Sequence, residues 1–225
     1  MFWEQVFPKD QEGFVSFALK TPNSFKQKYY RWPDDIDKIS TIGRLKDKGD
    51  LFFCPSLLAL ADLRKANVLC SSVLWADLDG GTPTNAQVTG LPMASTLPSP
   101  AVVVSSGTVG HEHRYWPLNQ ALGPSEIEAK NHALRHILGA DASGIDCTQY
   151  LRVPGTLNHK TKPPREVEIV DECDLRYNPI LFPSYSIEQL DSLYTEVDLI
   201  EILLSRLCND KVKALLTQSP EKVQD

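Results

Sequence analysis

No apolar run in this 225-residue chain approaches the ~20 residues that a membrane-spanning helix needs. The opening decapeptide, MFWEQVFPKD, lacks a basic patch followed by an apolar core. A secretory leader is therefore not expected, and the cytoplasm is the expected location. Cysteine is sparse and scattered: Cys54, Cys70, Cys147, Cys173 and Cys208, with no CxxC. That argues against a disulfide framework and against a zinc ribbon. Internal repeats are absent. So is a positive overall charge, the balance being −6.

The charge is unevenly spread. From Asp171 to the end there are 11 acidic and 5 basic residues, which accounts for the whole −6 and leaves residues 1–170 neutral. Within them Lys20, Lys26, Lys28, Arg31, Arg44, Lys46 and Lys48 form one basic stretch, and Lys160, Lys162 and Arg165 another. Either suits a phosphate path, or simply solvent. Apolar residues make up 42% and charged residues 23%, as in ordinary globular proteins.

The pattern reads as strands mixed with helices. GDLFFCPSLL (49–58) predicts a short strand closed by Pro55, and SLLALADLRK (56–65) a short helix. SSVLWADLD predicts the next strand. Residues 80–100, rich in Gly, Pro, Ser and Thr, predict a turn or a short helix at most. AVVVSS (101–106) and HEHRYWPL predict a hairpin around a Gly-containing turn. Pro124-Ser125 with Glu126 and Glu128 predicts a helix that runs to about Leu138 and stops at Gly139. QYLRVPG and REVEIV (165–170) predict extended segments. Beyond Pro183 the periodicity becomes helical, with Val197, Ile200, Leu203, Leu204 and Leu207 on one face. The expected class is α+β, largely antiparallel, with a body over 1–183 and a helical accessory segment or linker over 184–225.

In SSVLWADLDG, Asp77 and Asp79 end the predicted strand one residue apart. Positions i and i+2 share a face, so the carboxylates project together while Leu78 enters the opposite layer. Two ionised carboxylates side by side repel unless a cation lies between them. Divalent metals would resolve this, as in two-metal polymerase and nuclease sites. Other readings stay open: a turn cap with Gly80-Gly81, or half of a glycosidase pair. An EF-hand fails, because its twelfth position is Val88.

SSGTVGHEHRYWPL places Ser105, Ser106 and Gly107 in a turn, with His111 and His113 on one face of the returning strand. Turn amides and a neighbouring histidine suit phosphate oxygens. The alternatives are incidental surface histidines, or the His-x-His metal pair of rolling-circle nicking enzymes, with a tyrosine such as Tyr150 as nucleophile. Glu112 sits where that pair prefers a hydrophobe, and HExxH fails because His113 follows Glu112 directly. His132 and His136 read as helix-surface residues. Further on, Asp146 offers a third carboxylate, and Arg152 and Lys160 offer phosphate contacts.

WADLDGG, then SSG…HRYWPL, then D…LRVPGTLNHK, in this order, resemble the catalytic core of the archaeo-eukaryotic primase superfamily. The likeness is to primase-polymerase domains of phage and plasmid replication proteins and spans roughly residues 45–170. It implies an RRM-like antiparallel sheet joined to an N-terminal α/β unit, with the active site in the cleft between them. It implies template-directed nucleotidyl transfer from dNTPs or NTPs, with two divalent ions, Mg²⁺ or Mn²⁺. The implied metal ligands are Asp77, Asp79 and Asp146. His113 matches the motif histidine that contacts the incoming triphosphate, flanked by Ser106 and Gly107. The turn SGTVGHEH is about two residues longer than the usual one, and His111 stands at its small or serine position, so His111 and His113 are both candidates for the phosphate contact. The implied partners are a single-stranded DNA template, a primer and the nucleotide, with a helicase module often following; no membrane partner is expected. A catalytically silent nucleic-acid-binding module is the remaining alternative.

Overall fold

The chain opens with a short helix, α1 (Phe2–Val6), and then a hairpin, β1 (Gly13–Thr21) and β2 (Ser24–Trp32), paired over their whole length. The computed structural model describes residues 2–80 and 96–185. The hairpin turn is Pro22-Asn23. It lacks the Gly that favoured hairpin turns use to reach positive φ, and Thr21 Oγ1 and Ser24 Oγ bond across it at 2.9 Å. That unusual chemistry hides the hairpin in the sequence.

After α2 (Ile36–Ser40) and a 3-10 turn over Ile42–Lys48, β3 (Asp50–Phe53) pairs with β1. The helix expected over 56–65 does not form. Leu57 and Leu58 instead make a two-residue strand, β4, which joins β1 to β5 (Val68–Leu78). Both leucines are buried, so core packing overrides the weak helical propensity of that stretch. β5 pairs with β7 (Glu112–Leu122), which pairs in turn with β6 (Val102–Ser105), the expected hairpin. Between β7 and the next segment lies α3 (Pro124–Leu138). It begins on Pro124 and ends where Gly139 turns left-handed at φ +70°, as the sequence predicts.

The last strands are β8 (Leu151–Arg152), β9 (Thr156–Asn158) and β10 (Arg165–Glu172). The strand order is β8-β3-β1-β4-β5-β7-β6-β10-β9, with β2 beside β1: ten antiparallel strands in an α+β protein. Its two ends, β8 and β9, are separated in sequence only by Val153–Gly155. The Val153 amide bonds to Leu51 O, and the Gly155 amide to Val167 O. The sheet therefore curls back on itself around one core. Phe2 and Trp3 of α1 meet Phe53, Phe17 and Tyr115 edge-on inside that curl. Trp32, Trp75, Trp116 and Tyr115 are the largest fully buried side chains. From residue 186 on, the expected C-terminal helices lie outside the described residues, as does most of the loop expected over 80–100. Among the described residues no helix is long and apolar enough to cross a membrane.

Candidate active site

β5 carries the first candidate side chains. Val73, Leu74, Trp75 and Ala76 are all buried, and burial then falls away through Asp77 to the exposed Asp79. Beyond Val68–Cys70 no strand covers the second edge of β5 among the described residues. The loose backbone groups there are met by α3 and the loop after it. Trp75 N donates to Asn131 Oδ1 at 3.2 Å, and Asp141 N donates to Asp77 O at 2.7 Å. Trp75 Nε1 then ties the chain down at Gly144 O, 2.7 Å away. A Cβ on Gly144 would stand 3.3 Å from Asp77 Cβ, so a small residue lets this turn press on the carboxylate. Asp141 is thereby fixed next to Asp77.

In the β5–β7 register Asp77 faces His113, and Leu78 faces Glu112. Asp77 Oδ1 lies 3.6 Å from His113 Nε2, too long for a hydrogen bond. It is buried without a hydrogen-bond partner, as are His113 Nδ1 and the Tyr115 hydroxyl. Burial pushes the Asp77 carboxyl up to about 7, with the charges of Asp79 and Asp141 adding to it and His111 opposing. His113 is only 3% exposed. Burial, helped by the nearby Arg152 charge, lowers its imidazole to about 4, so it is neutral at pH 7. His111 is different: it is partly exposed, and its Nδ1 lies 2.7 Å from Asp79 Oδ1. The two histidines of the motif thus have separate surroundings, one a buried neutral ring behind Asp77, the other an accessible ring on Asp79.

The turn before them is held from below. Ser106 is buried and its amide donates to His111 O at 3.0 Å, so that amide closes the hairpin. Gly107 has φ +80°, and a Cβ there would come within 2.8 Å of Asn158 Cβ. Asn158, itself buried, donates from Nδ2 to Ser106 O and to Thr108 Oγ1. Its Oδ1 accepts from the amide of Lys160, whose side chain is exposed. Arg152 is buried and donates from Nη1 to Asp50 Oδ1 at 2.5 Å, and its guanidinium lies over Phe52. The same Asp50 oxygen accepts the His159 amide at 2.8 Å.

Asp146 is not among the charges that act on Asp77. It is exposed, and its Oδ1 accepts from Thr148 N and Thr148 Oγ1, both at 2.7 Å. With Glu128 and Cys147 it forms a group whose candidate ligand atoms lie within 4.8 Å of one another. That group borders a cavity of about 350 Å³, also lined by Lys65, His132 and Tyr185. Tyr150 has its hydroxyl at 2.6 Å from Ser16 Oγ and 3.1 Å from Gln27 Nε2, and burial pushes the phenol up to about 12. The roles of Asp50, Asn158 and Asp141 do not stand out in the sequence. Asp141 sits two residues beyond the helix-ending Gly139, where it reads as an ordinary loop carboxylate.

Asp77, Asp79 and Asp141 offer only hard oxygen donors, which suit Mg²⁺ or Mn²⁺. A buried carboxylate oxygen with no donor, beside two further carboxylates, is what a divalent ion would satisfy.

No family model matches the chain, and no curated protein matches it in sequence. Solved structures do share its shape. The archaeo-eukaryotic primase domain of the cyanophage S-2L primase-polymerase superposes with a TM-score of 0.56 at 14% identity, over 81% of this chain and 90% of that one. The catalytic domain of primase RepB′, solved in complex with initiator DNA, gives 0.53 at 14%, over 87% and 91%. A second RepB′ structure gives 0.54 at 12%, over 95% and 67%. The chain has the fold of the archaeo-eukaryotic primase catalytic domain.

Proposed function

We propose that the chain is a primase-polymerase that joins nucleotides from dNTPs or NTPs on a single-stranded DNA template, in phage or plasmid replication. The observation that carries this is Asp77 Oδ1: a buried carboxylate oxygen with no hydrogen-bond partner, flanked by Asp79 and Asp141 on a primase fold. Two divalent ions bound there would lower the pKa of the primer 3′-hydroxyl and offset charge on the departing pyrophosphate.

The chain's own groups divide the remaining work. Asp77 and Asp79 hold cations from one strand end, and the third carboxylate comes from the 141–146 segment. Of its two candidates we assign Asp141: each has its Oδ1 engaged by a local amide, Ser143 N at Asp141 and Thr148 N at Asp146, but the charge of Asp141 acts on Asp77. His111, accessible beside Asp79, hydrogen-bonds a phosphate oxygen, and the exposed Lys160 supplies a point charge. Neutral His113 backs Asp77. Ser106 and Gly107 shape the turn that aims both histidines. Arg152, locked to Asp50, holds β8 in register, and its charge adds to the burial that keeps His113 neutral.

The nicking alternative needs two metal-facing imidazoles and an ionisable, accessible tyrosine. His113 is enclosed and Tyr150 is bonded to Ser16 and Gln27, so neither requirement finds support. The test is incorporation of labelled nucleotides on unprimed and primed single-stranded templates with Mg²⁺ or Mn²⁺. Asp77→Asn is expected to abolish it with the fold intact. Incorporation retained in that variant would refute the proposal.

A further inference from the structure

The β1–β2 hairpin carries charge and aromatic surface that the catalytic reading does not use. Residues 13–33 hold Lys20, Lys26, Lys28 and Arg31 and no Asp or Glu, in a chain whose balance is −6. Among the described residues these four cations make no ion pair, and what sets the hairpin apart is the absence of any acidic residue over 13–33. All four are exposed. Two of them hold rings by their charge: Lys28 Nζ lies 4.9 Å from the Tyr30 centroid, and Arg31 lies over Phe14 at 5.5 Å.

The pairing register sorts the hairpin into two faces. Directly opposed residues share a face, so Ser16 with Tyr29, Ala18 with Gln27, and Lys20 with Phe25 form one ladder. Arg31, opposite Phe14, belongs to that ladder as well, whereas the other face buries Val15, Phe17, Tyr30 and Trp32 in the core and carries Lys26 and Lys28. On the first face Phe25 is 52% exposed, an unusual setting for so large an apolar ring. Its ring meets Tyr150 edge-on at 5.8 Å, and Tyr150 is itself fastened to Ser16 and Gln27. The face is therefore prearranged rather than loose. Tyr150 also ends the segment that begins at Asp141, so one stretch of ten residues links this face to the carboxylates.

The geometry points to this hairpin face as the docking surface for the single-stranded template, with Phe25 stacking a base while Lys20 and Arg31, which share its face, meet phosphates. Its charge is complementary to a phosphodiester strand, and an exposed aromatic among unpaired cations is the combination that binds single strands without reading sequence. An acidic protein would use the cations and leave Phe25 idle. Duplex DNA would do the same, because its bases are already stacked. This inference deepens the primase reading and rests on it for the identity of the strand, but the surface is testable without turnover.

The test measures binding of a fluorescein-labelled single-stranded 20-mer to the full chain by anisotropy, in EDTA, across a range of salt. Phe25→Ala is expected to weaken binding about 5- to 100-fold, the range for removal of one base stack. Lys20→Ala/Arg31→Ala is expected to weaken binding and to lower the slope of log affinity against log salt by about 1.4, from ~0.7 for each single-strand phosphate no longer neutralised. Duplex of the same sequence is expected to bind more weakly and to be indifferent to Phe25→Ala. Unchanged single-strand affinity in both hairpin variants, each shown folded by its thermal transition, would overturn the inference. Equal weakening of duplex and single-strand binding in Phe25→Ala would overturn it too. Failure of the primase reading looks different: no incorporation by wild type, with these binding results intact.

Discussion

Two acidic groups each draw a carboxylate from the 141–146 segment, and they differ in what already satisfies them. At Glu128, Asp146 and Cys147 the charges have protein partners. Lys65 Nζ pairs with Glu128 Oε2 at 2.5 Å, the Cys147 amide donates to Glu128 Oε1, and Thr148 engages Asp146. Burial pushes the Cys147 thiol up to about 12, so it is no thiolate at neutral pH. At Asp77, Asp79 and Asp141 the nearby counter-charge is an imidazole, His111, and Asp77 Oδ1 has no donor among the described residues. Proximity of carboxylates is common to both. Asp79 and Asp141 also have partners, His111 and the Ser143 amide, so the difference rests on one atom: a buried carboxylate oxygen without a donor, Asp77 Oδ1, belongs only to the second group.

The strongest way to break this contrast is mutation on each side. Asp77→Asn is expected to cut nucleotide incorporation by at least about 10³-fold, as expected for removal of a metal-binding carboxylate whose charge stabilisation is worth several kcal/mol. Asp146→Asn and Glu128→Gln are expected to stay within about 5-fold of wild type. Steady-state extension of a labelled primer measures all three, and a collapse in Asp146→Asn comparable to Asp77→Asn would reverse the assignment. Asp141→Asn is expected between these extremes, with a raised metal requirement visible in a Mn²⁺ titration.

Stability offers a second contrast. The folded Asp77 carboxyl ionises near 7, above its unfolded value of 3.8, so the folded state holds a proton that the unfolded state has lost. Stability therefore falls as pH rises from about 4 to 7, and above 7 the full penalty, on the order of 4 kcal/mol, is present. Asp77→Asn is expected to raise the metal-free Tm at pH 8 by about 5 °C or more. Mg²⁺ or Mn²⁺ is expected to raise the wild-type Tm at pH 8 more than at pH 5.5, and to leave the variant unmoved. Calorimetric scans with and without the ion decide this.

His113 works in the opposite sense. Its folded value near 4 lies below the unfolded 6.5, so its contribution is present above 6.5 and is lost as pH falls towards 4. Between about 4 and 6.5 the two groups nearly cancel, and wild-type stability is expected to be flat there. A His113→Phe variant is expected to uncover the Asp77 slope, with stability falling as pH rises across that window. A flat profile in the variant, from urea midpoints at several pH values, would show that the two groups do not titrate as assigned. The smallest effect is expected from Lys65→Met. The lysine of that pair is mostly exposed, so its replacement is expected to shift stability by less than about 1 kcal/mol.

Much of the local plan is legible in the chain. The Pro124 start and Gly139 stop of α3 follow from fixed φ at one end and a left-handed residue at the other. The His hairpin follows from β-branched alternation around a glycine turn, and the same-face placement of Asp77 and Asp79 from the period of two along a strand. The N-terminal hairpin stays hidden because Pro22-Asn23 is not a favoured hairpin turn. The leucines at 57 and 58 mislead because a short apolar run carries no clear period.

Residue order alone dictates a set of local geometries: two carboxylates on one face, a histidine turn, a capped helix. It also carries an ordered set of motifs that implies a primase core. Which groups are charged, and which are met, is settled by packing in three dimensions. The open edge of β5 draws the chain after α3 across it, which sets Asp141 against Asp77 and leaves Asp146 to Thr148. Burial then separates His113 from His111, although they lie two residues apart on one strand. Burial and partnering depend on segments distant in sequence, and those terms decide where a cation is needed.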